Sequence, residues 1–203
     1  MRIGVLGAGS MAGALGGKWV AAGHEVLVGA RVAERAAVCA DRIGARAGSL
    51  GDALSFGEAV LLAVPAGVAA DCLGDAAGKI VVDCTNSVVQ GRFVLDEPAQ
   101  ALRLAGTDAR VVKAFNLCHV DVWRRPSPVV FGDRPLAVPL CGDDPEAVAL
   151  VGRLVRDAGG VPVDGGPLER AALLEATAAF AIGMWVKGVD VRAAFTPLEA
   201  ASG

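Results

Sequence analysis

Tyrosine is absent from the 203 residues, histidine occurs twice, and aromatic side chains make up 4% of the chain. A Tyr-x-x-x-Lys pair is thereby excluded, and no Ser-His-Asp set or pair of acids stands in an obvious site. The scarcity of aromatics beside abundant Ala and Gly reads in part as compositional bias. The five cysteines (Cys39, Cys72, Cys84, Cys118, Cys141) lack paired spacing, and with two histidines they form no zinc pattern, so no metal is expected. They read as free thiols in a reducing cytoplasm. A basic excess is missing too. The formal net charge of −3 excludes nucleic acid as the main partner, because neutralising phosphates needs a basic face. The longest apolar runs, Ala59–Ala70 and Ala176–Val186, are too short to span a bilayer, and the first contains Pro65. The N-terminal apolar residues run straight into a glycine-rich loop, so neither a signal peptide nor a membrane partner is expected.

Apolar residues, by contrast, are plentiful at 54%, while the charged fraction is an ordinary 20%. Disorder is excluded by that balance. So much apolar content is generous for a monomer and predicts a buried homodimer surface. Strand-length apolar runs alternate with helical patterns along nearly the whole chain, which predicts an α/β fold with a mostly parallel sheet. Strands are expected at Arg2–Leu6, Glu25–Ala30, Ala45–Ala47, Ala59–Val64, Ile80–Cys84 and Arg110–Phe115. Helices are expected at Ser10–Ala22, closed by Gly23, and at Ala33–Ile43. Residues 116–134, with Trp123, Arg124, Arg125, Pro126 and Pro128, read as a short helical turn and an irregular loop. A strand at Leu136–Cys141, a helix at Pro145–Ala158, a strand at Val161–Val163 and an apolar helix at Leu168–Val186 complete the pattern. The length fits one doubly wound Rossmann domain, residues 1–165, with a helical extension, 166–203, packed on it.

The turn Gly-Ala-Gly-Ser-Met-Ala-Gly (7–13) sits between the first strand and the first helix. Gly7 permits a tight turn, Gly9 lets a pyrophosphate approach the backbone, and Ala12 stands where a small residue lets helix and strand pack. The free N–H groups of Ser10, Met11 and Ala12 would meet the anion, aided by the helix dipole. A turn without ligand and a methyl-donor site are the competing readings, but the strand–turn–helix context favours a dinucleotide. NAD-binding units place Asp or Glu at the end of the second strand. Here that strand ends Gly29-Ala30-Arg31, with Arg35 four residues further along a helical face. A guanidinium can hold a 2′-phosphate through two parallel bonds, so NADP(H) is favoured over NAD, against the alternative of two solvated surface arginines.

With these residues the chain resembles the F420H2:NADP oxidoreductase family. The similarity rests on Gly-His-Glu-Val-Leu-Val-Gly-Ala-Arg (23–31), Ala-Val-Pro (63–65), Val-Val-Lys-Ala-Phe-Asn (111–116), Val-Pro-Leu-Cys-Gly-Asp-Asp (138–144) and Asp-Gly-Gly-Pro-Leu (164–168). The segment 111–116 is also similar to the reductase domain of the STEAP metalloreductases. The resemblance implies direct hydride transfer between NADPH and coenzyme F420, a small-molecule redox substrate, with little acid–base machinery. It also implies that the loop Asn116, Leu117, Cys118, His119, Val120 holds the nicotinamide carboxamide through main-chain groups. The loop after Ala63, Val64 and Pro65 then covers the adenosine and ribose side. The loop Thr85-Asn86-Ser87, after another strand's carboxyl end, places Asn86 facing the same crevice, where such sheets bind ligands.

Asn116 stands where some members of that family have histidine. His119 is a candidate proton donor, with an ordinary structural histidine as the alternative. Cys118 reads as a packing residue because no activating base is evident nearby. Arg124, Arg125 and Arg170 are candidates for the acidic tail of F420, set against solvated loop charges. Two other functions stay open: an NADPH-dependent reductase of an imine, flavin or ferric chelate, and a non-catalytic NADP(H)-responsive binding protein.

Overall fold

Ile3–Leu6 are all buried behind an exposed Arg2, the pattern of a strand covered on both faces. A computed structural model describes this strand and the rest of residues 1–194, apart from residues 107 and 132. The end of the expected C-terminal extension, 195–203, lies outside the described residues. The strands are β1 (Arg2–Leu6), β2 (Glu25–Gly29), β3 (Arg46–Gly48), β4 (Ala59–Leu62), β5 (Ile80–Asp83), β6 (Arg110–Lys113), β7 (Val130–Phe131), β8 (Arg134–Pro135), β9 (Ala137–Gly142) and β10 (Val161–Gly166). Eight of them form one sheet in the order β10-β9-β6-β5-β4-β1-β2-β3. The order reverses outward from β1 and β4, and ligands bind at such a switch point, outside the carboxyl ends of the strands. Neighbouring strands run parallel except β6 and β9, which pair antiparallel. The expected α/β Rossmann-like sheet is therefore present.

The helices are α1 (Ser10–Ala21), α2 (Ala33–Ile43), α3 (Leu50–Phe56), α4 (Ala69–Leu73), α5 (Gln100–Ala105), α6 (Val120–Trp123), α7 (Pro145–Asp157) and α8 (Ala171–Val186). Gly44 caps α2 in the left-handed region (φ 73°), and Asp144 caps α7 by accepting from the Ala147 N–H at 2.7 Å. Helices α3, α4 and α5 and the β7–β8 hairpin were not anticipated. Helix α3 packs against the sheet so tightly that a Cβ on Gly4 would overlap the Ala53 carbonyl. The final helix opens as a 3-10 turn at Leu168–Arg170 before α8 proper, and β10 runs three residues past the expected Val163. No described helix is long and apolar enough to cross a membrane.

Two buried clusters flank the sheet, one with Trp19, Leu154 and Trp123, the other with Leu62, Leu73 and Leu104. Phe115 sits edge-on between Trp19 (6.0 Å, 77°) and Trp123 (5.1 Å, 72°) in the first of these. Such pairs contribute about 0.5–1.5 kcal/mol beyond their buried area. They help hold Phe115 at φ 64°, a conformation that is uncommon for an aromatic residue and costs about 1–3 kcal/mol. The strained residue lies at the head of the loop that follows β6.

Candidate functional site

The carboxyl ends of β1, β4, β5 and β6 open onto two cavities that meet at the glycine-rich turn. The first, of about 300 Å³, has Gly7, Ala8 and Gly9 on one side, Arg31 and Arg35 on another, and Ala63, Val64 and Pro65 facing them. The second, of about 280 Å³, begins at Ser10 and Met11 and continues along Asn86, Phe115 and the 116–120 loop to α8. Every cofactor residue expected from sequence lines one of the two, except Ala12. Ala12 is fully buried, its side chain packed beneath the turn.

The turn itself has room for a ligand. Gly7 (φ 114°) is enclosed: a Cβ there would overlap the Ala63 carbonyl. Gly9 is its opposite, since a Cβ there would meet nothing within 4 Å. The Gly13 N–H bonds back to the Gly9 carbonyl at 3.1 Å, closing the first turn of α1. The three N–H groups before it are those that a helix leaves without an intrahelical acceptor, and they form the positive end of the helix dipole. An anion fits this cradle.

Strand β2 stops at Gly29, two residues short of Arg31. Arg31 and Arg35 are both exposed, and neither has an ion pair among the described residues. Two uncommitted guanidiniums on one cavity wall suit a doubly charged phosphate.

At the other end, Asn86 and Asn116 bind each other reciprocally. Asn86 Nδ2 donates to the Asn116 carbonyl at 2.8 Å, and Asn116 Nδ2 donates to Asn86 Oδ1 at 3.0 Å. This pair ties the loops after β5 and β6 together at the cavity floor. His119 caps α6: its Nδ1 accepts from the Asp121 N–H at 3.3 Å, and its side chain is 62% exposed. Its ring lines the cavity, so sequence and structure agree on position, but the cap already occupies one nitrogen.

Cys118 is largely buried, and desolvation pushes its thiol up to about 11. Cys84, also on this wall, is pushed to about 12, again mainly by burial. Both are thiols near neutrality, which removes a nucleophilic role. Alkylation of Cys118 by iodoacetamide is accordingly expected to be slow at pH 7. It should rise about tenfold per pH unit until the thiolate dominates near pH 11, read by peptide mass spectrometry. Rapid labelling at pH 7 would contradict this assignment.

A third cavity, of about 540 Å³, adjoins the second through Leu117, Cys118, His119 and Trp185. Phe131 and Arg125 also line it, with the Arg125 guanidinium 5.2 Å above the Phe131 ring. Of the other basic candidates, Arg124 pairs with Asp121 at 2.6 Å and Arg170 donates to the Gly165 carbonyl at 2.8 Å. Neither lines the described cavities.

A glycine cradle with two arginines free of ion pairs on one side and a mostly apolar pocket on the other has the charge and shape that a dinucleotide needs. Residues 2–87 match the family of coenzyme F420-dependent NADP oxidoreductases. The resemblance read from the sequence thus has its counterpart in the N-terminal segment that carries the cradle and Arg31. Rat (Rattus norvegicus) metalloreductase STEAP3 is 30% identical over 179 residues, covering 86% of this chain. The chain spans 36% of that relative's length. Among solved structures, hypothetical protein SMa0349 from Sinorhizobium meliloti is 28% identical with a TM-score of 0.73, covering 85% of this chain and 87% of its own. A structure described as an F420-dependent NADP reductase from Arthrobacter sp. FB24 has a TM-score of 0.78 at 23% identity, covering 93% and 96%. The reductive aminase of Aspergillus terreus, in complex with NADPH and ethyl levulinate, has a TM-score of 0.69 at 18% identity, covering 92% and 62%. The last two likenesses concern the fold. The family is one of NADP(H)-binding oxidoreductases.

Proposed function

We propose that this chain is an oxidoreductase that transfers hydride between NADPH and coenzyme F420. The carrying observation is the single turn shared by two cavities, arginine-lined on one side and apolar on the other, with a larger apolar space beyond Trp185. When bound, the dinucleotide supplies a hydride from its nicotinamide ring. The chain's own part is to bind, align and keep water out. The N–H groups of Ser10, Met11 and Ala12 take the pyrophosphate, Arg31 and Arg35 take the 2′-phosphate, and Pro65 covers the adenosine side. Phe115, Ala178 and Ile182 wall off the nicotinamide side, and main-chain groups from Asn116 to Val120 orient the ring. The wide slot beside Cys118 and Trp185 accommodates a flat polycyclic acceptor, and Arg125 offers it a cation. Reduction of the deazaflavin also consumes one proton, which the exposed His119 ring on the cavity wall or solvent at the third cavity can deliver.

The alternative acceptors are ferric chelates, favoured by the likeness to STEAP3, and cyclic imines, favoured by the imine-reductase fold neighbours. A non-catalytic NADP(H)-responsive role is the remaining reading. Helix α8 is apolar all round and leaves Leu173 and Phe180 more than half exposed, which supports a homodimer through that face. Five free cysteines suit a reducing cytoplasm.

The test mixes purified protein, NADPH and F420 and follows the deazaflavin absorbance. Fast bleaching is expected; no bleaching, but turnover with a ferric chelate, flavin or cyclic imine, would move the acceptor to that class. Arg31→Ala should weaken NADPH binding about 10–100-fold while leaving NADH binding within about twofold, the loss of charge-assisted bonds to one phosphate. Equal losses for both cofactors would remove Arg31 from the 2′-phosphate.

A further inference from the structure

Two residues before Phe115, the fully buried ammonium of Lys113 donates to three acceptors. These are Asp83 Oδ2 at 2.9 Å, Glu175 Oε1 at 2.9 Å and the Thr85 carbonyl oxygen. Asp83 and Glu175 are fully buried as well. Asp83 also accepts from the Thr85 N–H at 2.8 Å, and Glu175 from the N–H groups of Gln100 (3.2 Å) and Ala101 (3.3 Å). The cluster therefore grips both ends of the segment 85–101 and one point of α8. The middle of that segment rests on α8 too, for a Cβ on Gly183 would stand 3.0 Å from the Phe93 Cβ.

None of the three charged side chains lines a described cavity. Each structural piece they hold nevertheless carries pocket wall. Asn86 follows Thr85, Phe115 follows Lys113, and Ala178, Ile182 and Trp185 continue the face of α8 that begins at Glu175. Cohesion alone would be served equally well by apolar side chains of similar volume, because burying charges is costly. Directional bonds from one ammonium add something apolar contact lacks: a defined spacing between α8, the 85–101 segment and the ends of β5 and β6.

We infer that Lys113, Asp83 and Glu175 are positioning residues for the nicotinamide pocket, setting its wall without touching its contents; this rests on the cavity being the nicotinamide site. Their effect should fall on the nicotinamide half of the ligand and spare the adenosine half, which sits on other elements.

Wild type and Glu175→Gln are titrated with NADPH and with adenosine 2′,5′-bisphosphate, which has the arginine-bound half and no nicotinamide. The Kd for NADPH is expected to rise about tenfold, while that for the bisphosphate stays within about twofold. A merely structural role moves both alike, so equal changes, or none, overturn the inference. Wild type in which the nicotinamide half leaves no mark on affinity or exchange overturns the site reading itself, and the inference with it.

A second measurement needs no variant and decides the matter if Glu175→Gln fails to fold. In wild type, NADPH should slow hydrogen exchange at the Gln100 and Ala101 amides, which end on Glu175, at least about threefold more than the bisphosphate does. Identical exchange under the two ligands, with NADPH still protecting the 116–120 loop, overturns the positioning role and leaves the site reading standing.

Discussion

Lys113→Met is expected to lower folding stability by about 3–5 kcal/mol, the cost of removing one partner from a buried ion cluster. Methionine fills nearly the same volume, so the loss would come from electrostatics and hydrogen bonding more than from packing. The Asp83 and Glu175 carboxyl groups, fully buried, would face each other without the cation that both now contact at 2.9 Å. The Thr85 carbonyl would lose its ammonium donor as well. Against the 5–15 kcal/mol typical of a whole domain, such a change is a large fraction of the total. Urea denaturation should show a lower midpoint with an unchanged slope. Adding Asp83→Asn and Glu175→Gln should recover part of the loss, since it removes the uncompensated charges. A single variant within about 1 kcal/mol of wild type would falsify the claim that this cluster anchors α8.

Little of that cluster was legible in the sequence, although each member left a trace. Asp83 ends a strand of otherwise apolar residues, Lys113 follows the apolar pair Val111 and Val112, and Glu175 is the only charged residue in the 16 of α8. A lone charge in an apolar element announces a buried partner, but spacings of 30 and 62 residues cannot say which one. The partner emerges only when strand order puts β5 beside β6 and α8 across their ends.

Elements whose cause is local are legible in the sequence. Arg2–Leu6 and Ala33–Ile43 were placed residue for residue, because apolar runs and a closing glycine mark their bounds. Helix α3 was missed despite a local signal. Ser49 and Asp52 form a capping box, with the Asp52 N–H donating to Ser49 Oγ at 3.1 Å and the Ser49 N–H to Asp52 Oδ2 at 2.8 Å. Seven residues including Gly51 are too few for helical periodicity to emerge. The positive φ of Phe115 had no sequence signal at all. Its ring packs between two tryptophans that are brought together only by the tertiary fold.

Gly7 and Gly9 look alike in the motif, and the structure predicts opposite outcomes for them. Gly7→Ala is expected to cost about 2–4 kcal/mol, because a side chain would adopt φ near 114° and press on the Ala63 carbonyl. Its N–H also bonds the Gly29 carbonyl at 2.8 Å, so the turn cannot shift without loosening β1 from β2. Gly9 has ordinary extended geometry (φ −85°) and open space where its Cβ would go. Gly9→Val should therefore fold, losing about 1 kcal/mol at most as a poorer helix cap. Its side chain would instead occupy the path that a pyrophosphate takes across the turn, and NADPH affinity should fall at least about 100-fold. Thermal melts with and without NADPH separate the two effects. The Gly9→Val protein should melt near the wild-type temperature but gain nothing from NADPH, because a ligand stabilises only the state it binds. If the variant gained as much as wild type, the dinucleotide would not cross the turn. The two cavities would then belong to different ligands, and hydride transfer through the second would lose its support.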